Sequence, residues 1–148
     1  MVCNGGGHLE EIKQLSKVWD TFDCFYVLMK NDMSKQLKEK KYLIAENSRK
    51  NNFIFLLKTI IIFFQSFHIL MKEKPDFILS TGAGAAYPML WLGKKVFHKK
   101  IVFIETFAKR KGPSRTGEKV YRFADLFIIQ SEELRQFYPN AIYKGCIF

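Results

Sequence analysis

Apolar positions fall along this chain in short continuous runs that alternate with stretches of helical spacing. Val2 and Cys3 open a stub strand over residues 1–3. Leu9, Ile12, Leu15 and Val18 recur every three residues and predict one helix over 8–19. Residues 22–29 are a continuous apolar run of strand length, and 30–41 are Lys-rich, predicting loop and a short helix. A short strand is expected over 42–45 and a charged turn over 47–52. Residues 53–72 form a long apolar helix. Runs at 76–80, 100–105 and 125–130 read as buried strands, each followed by a Gly- or Ser-containing loop and a helix, over 85–97, 117–123 and 132–137. Alternating βα units with short connections predict an α/β fold: a Rossmann-like parallel sheet with helices on both faces. The 148 residues suit one domain, 1–148, and no linker or repeat divides them.

The long apolar helix has two readings. Residues 53–71 reach the length that spans a bilayer. Asn51, Lys58, Gln65 and Lys72 nevertheless recur every seven residues as a polar stripe. Spanning would also put the strands before and after it on opposite sides of a membrane. The expectation is therefore a helix that packs on the sheet and lends surplus apolar surface to a membrane or a partner. The alternative is an unusually apolar core helix.

A hydrophobic content of 48% excludes a disordered chain. The net charge of +10 is concentrated in Lys94, Lys95, Lys99, Lys100, Lys109, Arg110, Lys111 and Arg115. Such a surplus suits anionic partners (lipid head groups, pyrophosphates or nucleic acid) or simply a solvated surface. Cys3, Cys24 and Cys146 are odd in number and form no CxxC pair. Neither a disulfide framework nor a zinc site is indicated, and a reducing, cytoplasmic setting fits. No signal-peptide pattern opens these residues, and a few more are expected ahead of so short a first strand.

In an open parallel sheet, ligands bind beyond the carboxyl ends of the strands. Asn4, Gly5, Gly6, Gly7 and His8 follow the first strand, and Thr81, Gly82, Ala83 and Gly84 follow the strand at 76–80. Glu105 and Thr106 end the next strand, and Gln130 and Ser131 the one after. Gly5, Gly6 and Gly7 before a helix offer backbone N–H groups to a phosphate, or only make a tight turn. They form neither a Walker loop nor a spaced dinucleotide fingerprint, which disfavours NAD. His8 could move a proton or meet a phosphate, or be satisfied by backbone. Glu105 ends an apolar strand, where a carboxylate needs a partner or a task; it is either a general base or the ion-pair partner of Lys109 or Arg110. Gly82 and Gly84 allow close backbone approach. Ser131 reads as a helix N-cap. His68 and His98 do not cluster with His8, and no metal or cofactor motif is present.

These residues carry a resemblance. Gly6-Gly7-His8, STGAGAAYP (80–88), IVFIETFAKRKGPSRTG (101–117), ADLFIIQSEEL (124–134) and YPNAIYKG (138–145) resemble one family in order and spacing. It is the family of the membrane-anchoring subunit of the two-part N-acetylglucosaminyltransferase of N-glycan assembly, with bacterial relatives in capsule and exopolysaccharide synthesis. The GGH piece alone also looks like the acceptor loop of the peptidoglycan N-acetylglucosaminyltransferase. The resemblance implies the N-terminal, acceptor-binding half of a GT-B glycosyltransferase split into two chains. A donor-binding partner subunit would hold the UDP-sugar, and the acceptor would be a polyprenyl-pyrophosphate-linked sugar at the cytoplasmic face of the membrane, where this chain would be peripheral. Carried over, Gly5, Gly6 and Gly7 would meet the acceptor pyrophosphate, with Gly82 and Gly84 beside it. His8 and Glu105 would lie near the accepting hydroxyl, and Lys109, Ser114 and Thr116 would belong to the loop closing the site. The family commonly has Arg where Lys109 stands and Trp where Ser131 stands; a Lys is a point charge, not a bidentate fork.

Two other classes compete. A basic, aromatic-rich nucleic-acid-binding module would use the +10 charge, but no recognised nucleic-acid motif is present. A self-sufficient small-molecule enzyme would need a second half to close over its substrate. The final segment, 138–148, is short and apolar and is expected, with the strand-end loops, to dock the partner.

Overall fold

Strand alternation splits the interior into two cores. The computed structural model describes residues 1–46 and 52–147. Residues 47–51 of the turn expected over 47–52, Asn51 among them, and the terminal Phe148 lie outside them, while Asn52 is helical. In chain order the elements are β1 (Val2–Cys3), α1 (Gly7–Lys13), α2 (Ser16–Thr21), β2 (Tyr26–Met29), α3 (Asp32–Gln36), β3 (Lys41–Ile44), α4 (Asn52–Glu73), β4 (Phe77–Ser80), α5 (Tyr87–Lys95), β5 (Lys100–Ile104), α6 (Arg115–Tyr121), β6 (Leu126–Ile129) and β7 (Ile142–Tyr143). Gly84–Ala86 and Glu132–Gln136 are 3-10 turns. The strands form one sheet in the order β3-β2-β1-β4-β5-β6-β7, and every pairing is parallel. Val2, Val27 and Met29 face a larger core with Ile62 and Leu70 of α4 and Met89 and Leu92 of α5. Their neighbours Cys3, Tyr26 and Leu28 face a smaller one with Leu9 and Ile12 of α1. The period of two is that of strands buried on both faces.

Several boundaries differ from expectation for local reasons. The helix expected over 8–19 breaks at Leu15, whose ψ of 40 leaves the helical range, and α2 restarts toward β2. The strand expected over 22–29 begins only at Tyr26; Phe22 stays outside, edge-on to Phe77 at 5.1 Å. β7 was not foreseen, because two residues after the Pro139 turn carry no readable alternation.

The basic run is not one patch. α5 ends at Lys95 and β5 starts at Lys100, so Lys94–Lys100 lie at the amino edge of the sheet. Arg110, Lys111 and Arg115 follow β5 and lie at the other edge, about 15 Å away along the strand. Lys94 is engaged by Asp125 at 2.7 Å.

α4 is one helix whose two halves meet different surroundings. Its buried residues are Ile62, Ser66, Ile69 and Leu70, all past its midpoint or near it. Gln65 Oε1 accepts the backbone N–H of Ala45, the residue just beyond β3, at 2.9 Å. That bond sets the level of the strand ends. The preceding residues from Asn52, at 1.5 Å each, project about 20 Å toward the carboxyl edge. Of the polar stripe, Gln65 and Lys72 face β3: Gln65 is bonded to Ala45 and Lys72 Nζ stands 5.4 Å from the Tyr42 ring centroid. The helix is long and apolar enough to cross a membrane, yet it lies over this sheet, with 22% of its apolar window buried.

Candidate functional site

The strand order reverses between β1 and β4, which makes that crevice the switch point of the sheet. The loops after these two strands are the glycine loops. Gly6 has φ 146, a region open essentially to glycine, and its carbonyl accepts the N–H of Leu9 at 2.8 Å to start α1. Asn31, just past β2, donates Nδ2 to the Gly5 carbonyl at 2.7 Å while its Oδ1 caps α3 by accepting the N–H of Ser34. Thr81 Oγ1 donates to the His8 carbonyl at 2.9 Å, so the two glycine loops are tied together. A Cβ built on Gly82 would stand 3.2 Å from His8 Cε1, which places the imidazole against that loop. Ala83 holds φ 81 and ψ 141, a conformation costing an ordinary residue about 1–3 kcal/mol.

His8 and Gly82 therefore meet on one edge, with the His8 side chain 27% exposed. Its Nδ1 lies 3.5 Å from Glu11 Oε2, long for a hydrogen bond. Both atoms are buried without a hydrogen-bond partner. Glu11 is only 3% exposed, and its Oε1 accepts from Thr106 Oγ1 at 2.8 Å and from the Phe107 N–H at 2.7 Å. Sequence reasoning missed Glu11. The available signal was a carboxylate on the buried face of α1, between Leu9 and Ile12 and one turn after His8.

Glu105 is placed otherwise than expected. It is fully buried and opens onto no cleft. Oε2 accepts from Tyr138 Oη at 2.8 Å and from the Ser114 N–H at 3.2 Å, and Oε1 from the Thr106 N–H at 3.1 Å. These donors take the place of Lys109 and Arg110, which remain exposed. Gly117 packs so tightly that a Cβ there would lie 2.1 Å from Glu105 Oε2. Burial beside this carboxylate pushes the Tyr138 hydroxyl pKa well up, keeping it a neutral donor. Ser114 is not a free ligand group either: its Oγ accepts the Gly117 N–H at 2.9 Å and caps α6. The loop over 106–114 is thus pinned at its start by Glu11 and Glu105 and at its end by Glu105. Lys109, Arg110 and Lys111 lie on its exposed crest, with Arg110 5.5 Å from the Phe107 ring centroid. Thr116 is half-buried at the start of α6, and Gly84 is exposed at the start of its turn. Gln130 Nε2 donates to the Glu105 carbonyl at 3.1 Å, and its Oε1 accepts the Ile147 N–H at 3.0 Å, tying the last segment to this edge. Ser131 sits at the expected N-cap position but makes no capping side-chain bond.

Burial pushes the Cys3 thiol up to about 12, which marks it as an inert core residue. Among the described residues, no group of three His, Cys, Asp or Glu lies close enough to hold a metal. A hollow of about 270 Å³ lined by Phe22, Asp23, Pro75 and Asp76 lies at the opposite, amino edge, away from these groups.

The comparisons decide the family. The family described as "Oligosaccharide biosynthesis protein Alg14 like" matches residues 1–147. The chain belongs to the Alg14 family. The UDP-N-acetylglucosamine transferase subunit ALG14 of Homo sapiens is 33% identical over 90 residues, 55% of this chain and 40% of that protein. The subunit of the same name from Schizosaccharomyces pombe is 35% identical over 94 residues, 59% of this chain and 41% of that one. The match thus spans about two-fifths of the length of these curated relatives. In fold, this Alg14-family chain is similar to MurG of Acinetobacter baumannii, with a TM-score of 0.72 and 18% identity over 90% of this chain and 41% of that chain. It is also similar to the UDP-N-acetylglucosamine 2-epimerase of Rickettsia bellii, with a TM-score of 0.74 and 14% identity over 99% and 44% of the two chains. The expected Rossmann-like α/β fold of GT-B kind is borne out. Membership in a family of oligosaccharide biosynthesis proteins favours the glycosyltransferase reading over the nucleic-acid alternative.

Proposed function

We propose that this chain acts as one unit, the acceptor-binding half of a two-chain, UDP-sugar-dependent glycosyltransferase. The observation that carries the proposal is a half-exposed His8 backed by buried Glu11, between two glycine loops at the switch point of an Alg14-family sheet. The name of the curated relatives favours N-acetylglucosamine as the sugar transferred. Of the two settings the resemblance offers, N-glycan assembly and capsule or exopolysaccharide synthesis, that name bears only on the first. The acceptor is a polyprenyl-pyrophosphate-linked sugar, and the UDP-sugar arrives on the partner subunit.

In the proposed reaction, the acceptor hydroxyl forms a bond to the anomeric carbon as the bond from that carbon to UDP breaks. The hydroxyl proton passes to His8 Nε2, and UDP leaves with the bonding electrons. Glu11 holds Nδ1 protonated, which keeps Nε2 free to accept; their 3.5 Å separation shortens when the acceptor is bound. Gly5, Gly6 and Gly7 receive the pyrophosphate, Gly82 and Gly84 border it, and Lys109 and Thr116 close over it. Glu105 and Ser114 take a different part from the one expected: they hold the closing loop in shape. Partner docking falls to the C-terminal segment and to the thinly covered face of β5 and β6, where Val102, Leu126 and Ile128 stay half-buried.

The projecting part of α4 provides the peripheral contact with the cytoplasmic face of the membrane. Phe53 is 69% exposed and Phe64 66%, far from ordinary core values. Purified chain should float with anionic vesicles. Leu57→Glu with Ile61→Glu, both at exposed positions, should abolish flotation without lowering thermal stability. Flotation equal to wild type would remove the membrane role. The enzyme reading is tested by transfer from UDP-N-acetylglucosamine to a prenyl-pyrophosphate-linked sugar, with this chain, the donor-side partner, and both. Activity is expected only from the pair, because positioning two substrates across a cleft supplies much of the rate. Matching activity from this chain alone would refute the split.

A further inference from the structure

The projecting part of α4 does not stand alone at the site edge. Between it and the start of α6 runs a groove of about 520 Å³, within the range of small-ligand sites. Its apolar wall is Phe55 and Ile62 of α4 with Ala85 and Pro88, of which Ile62, Ala85 and Pro88 are buried. Its rim carries Arg115 and Lys119, with Glu118 as the one acid. Lys119 Nζ stands 5.4 Å from the ring centroid of Tyr87, another lining residue. Gly84 lies in the wall, two residues after the Gly82 that packs against His8. The short loop over 82–84 therefore has the imidazole against one end and this groove against the other.

We infer that this groove binds the pyrophosphate end and first isoprene units of the acceptor lipid. The inference rests on the acceptor reading above and locates its lipid. Three features fit such an amphiphile and not a fully polar ligand. One wall is apolar, from Phe55 and Ile62 to Ala85 and Pro88. The cations gather at the rim, where an anionic head would sit. One wall continues into the exposed apolar face of α4, so a prenyl tail leaving the groove stays against apolar surface. A head group beside Gly84 meets Arg115 and Lys119 from the groove and the loop of Gly5, Gly6 and Gly7 from the other side, and its attached sugar lies at His8. Arg115 and Lys119 thereby join Lys109 in neutralising the pyrophosphate, to which the Thr116 hydroxyl donates.

Photolabelling tests this directly. The purified chain is irradiated with a geranyl pyrophosphate carrying a benzophenone on its tail, and the adducts are mapped by mass spectrometry. Adducts are expected on Phe55, Thr59, Tyr87 or Pro88. Farnesyl pyrophosphate should suppress them at concentrations about tenfold below those needed of farnesol or inorganic pyrophosphate, as for a site using both head and tail. Thr59→Trp, which fills the groove, and the surface pair Arg115→Glu with Lys119→Glu should each cut labelling about tenfold or more. Both should retain wild-type melting, and the Trp variant wild-type flotation as well; the surface pair serves if the Trp variant fails to fold. Adducts confined to the outer face of α4, equal competition by farnesol, or undiminished labelling of folded variants would overturn the groove. Transfer by the reconstituted pair decides what else falls: activity that survives such a result leaves the acceptor reading standing, and absence of both labelling and transfer removes the two together.

Discussion

Glu11 and Glu105 reach the same edge of the sheet from opposite directions, and they end in different conditions. Glu105 is saturated: Tyr138, Ser114 and Thr106 all donate to it, and it is closed off from solvent. Glu11 is divided. One oxygen is held by Thr106 and Phe107, and the other faces only the unpartnered Nδ1 of a half-exposed histidine. A saturated buried carboxylate fixes geometry, whereas a half-satisfied one beside a solvent-reaching imidazole has capacity left for chemistry. The difference teaches that a carboxylate at a strand end is not a site by position alone. Its donors decide.

The largest expected effect breaks the comparison at its chemical side. His8→Ala in the reconstituted pair should lower transfer by about 10²-fold or more, as for loss of a general base, while leaving the melting temperature near wild type. Near-full transfer would take His8 out of the reaction. On the structural side, Glu105→Ala orphans Tyr138 Oη and the Ser114 N–H together, and should lower unfolding free energy by about 2–4 kcal/mol in urea titrations. Gly117→Ala, which drives a methyl into the same carboxylate, should lower it by about 1–3 kcal/mol. A Glu105→Ala variant of undiminished stability that has lost transfer would reverse the assignment of the two carboxylates.

Much of this edge was legible in the chain. The βα alternation, the strand runs at 76–80, 100–105 and 125–130, and both glycine loops come through because each is a local pattern of spacing or turn chemistry. What escaped depends on packing between distant residues. Glu11 reads as one more polar residue of an amphipathic helix until Thr106, 95 positions later, is seen to donate to it. Glu105 reads as a base or as an ion-pair partner of Lys109 or Arg110 because its strand is otherwise apolar, and nothing local announces that Tyr138 arrives from 33 residues away. The basic run from Lys94 to Arg115 looked continuous because the five residues of β5, which carry its two ends to opposite edges of the sheet, count for little in sequence and about 15 Å in space.

The pairing of His8 with Glu11 is the claim on which the site stands, and a double-mutant cycle on transfer tests it most directly. Glu11→Gln alone should lower kcat about tenfold, by loosening the tautomer of His8 more than the fold. In the presence of His8→Ala, the same substitution should cost less than about twofold, because the group it serves is gone. Full, independent losses from the two substitutions would contradict the account, since Glu11 would then be acting without His8.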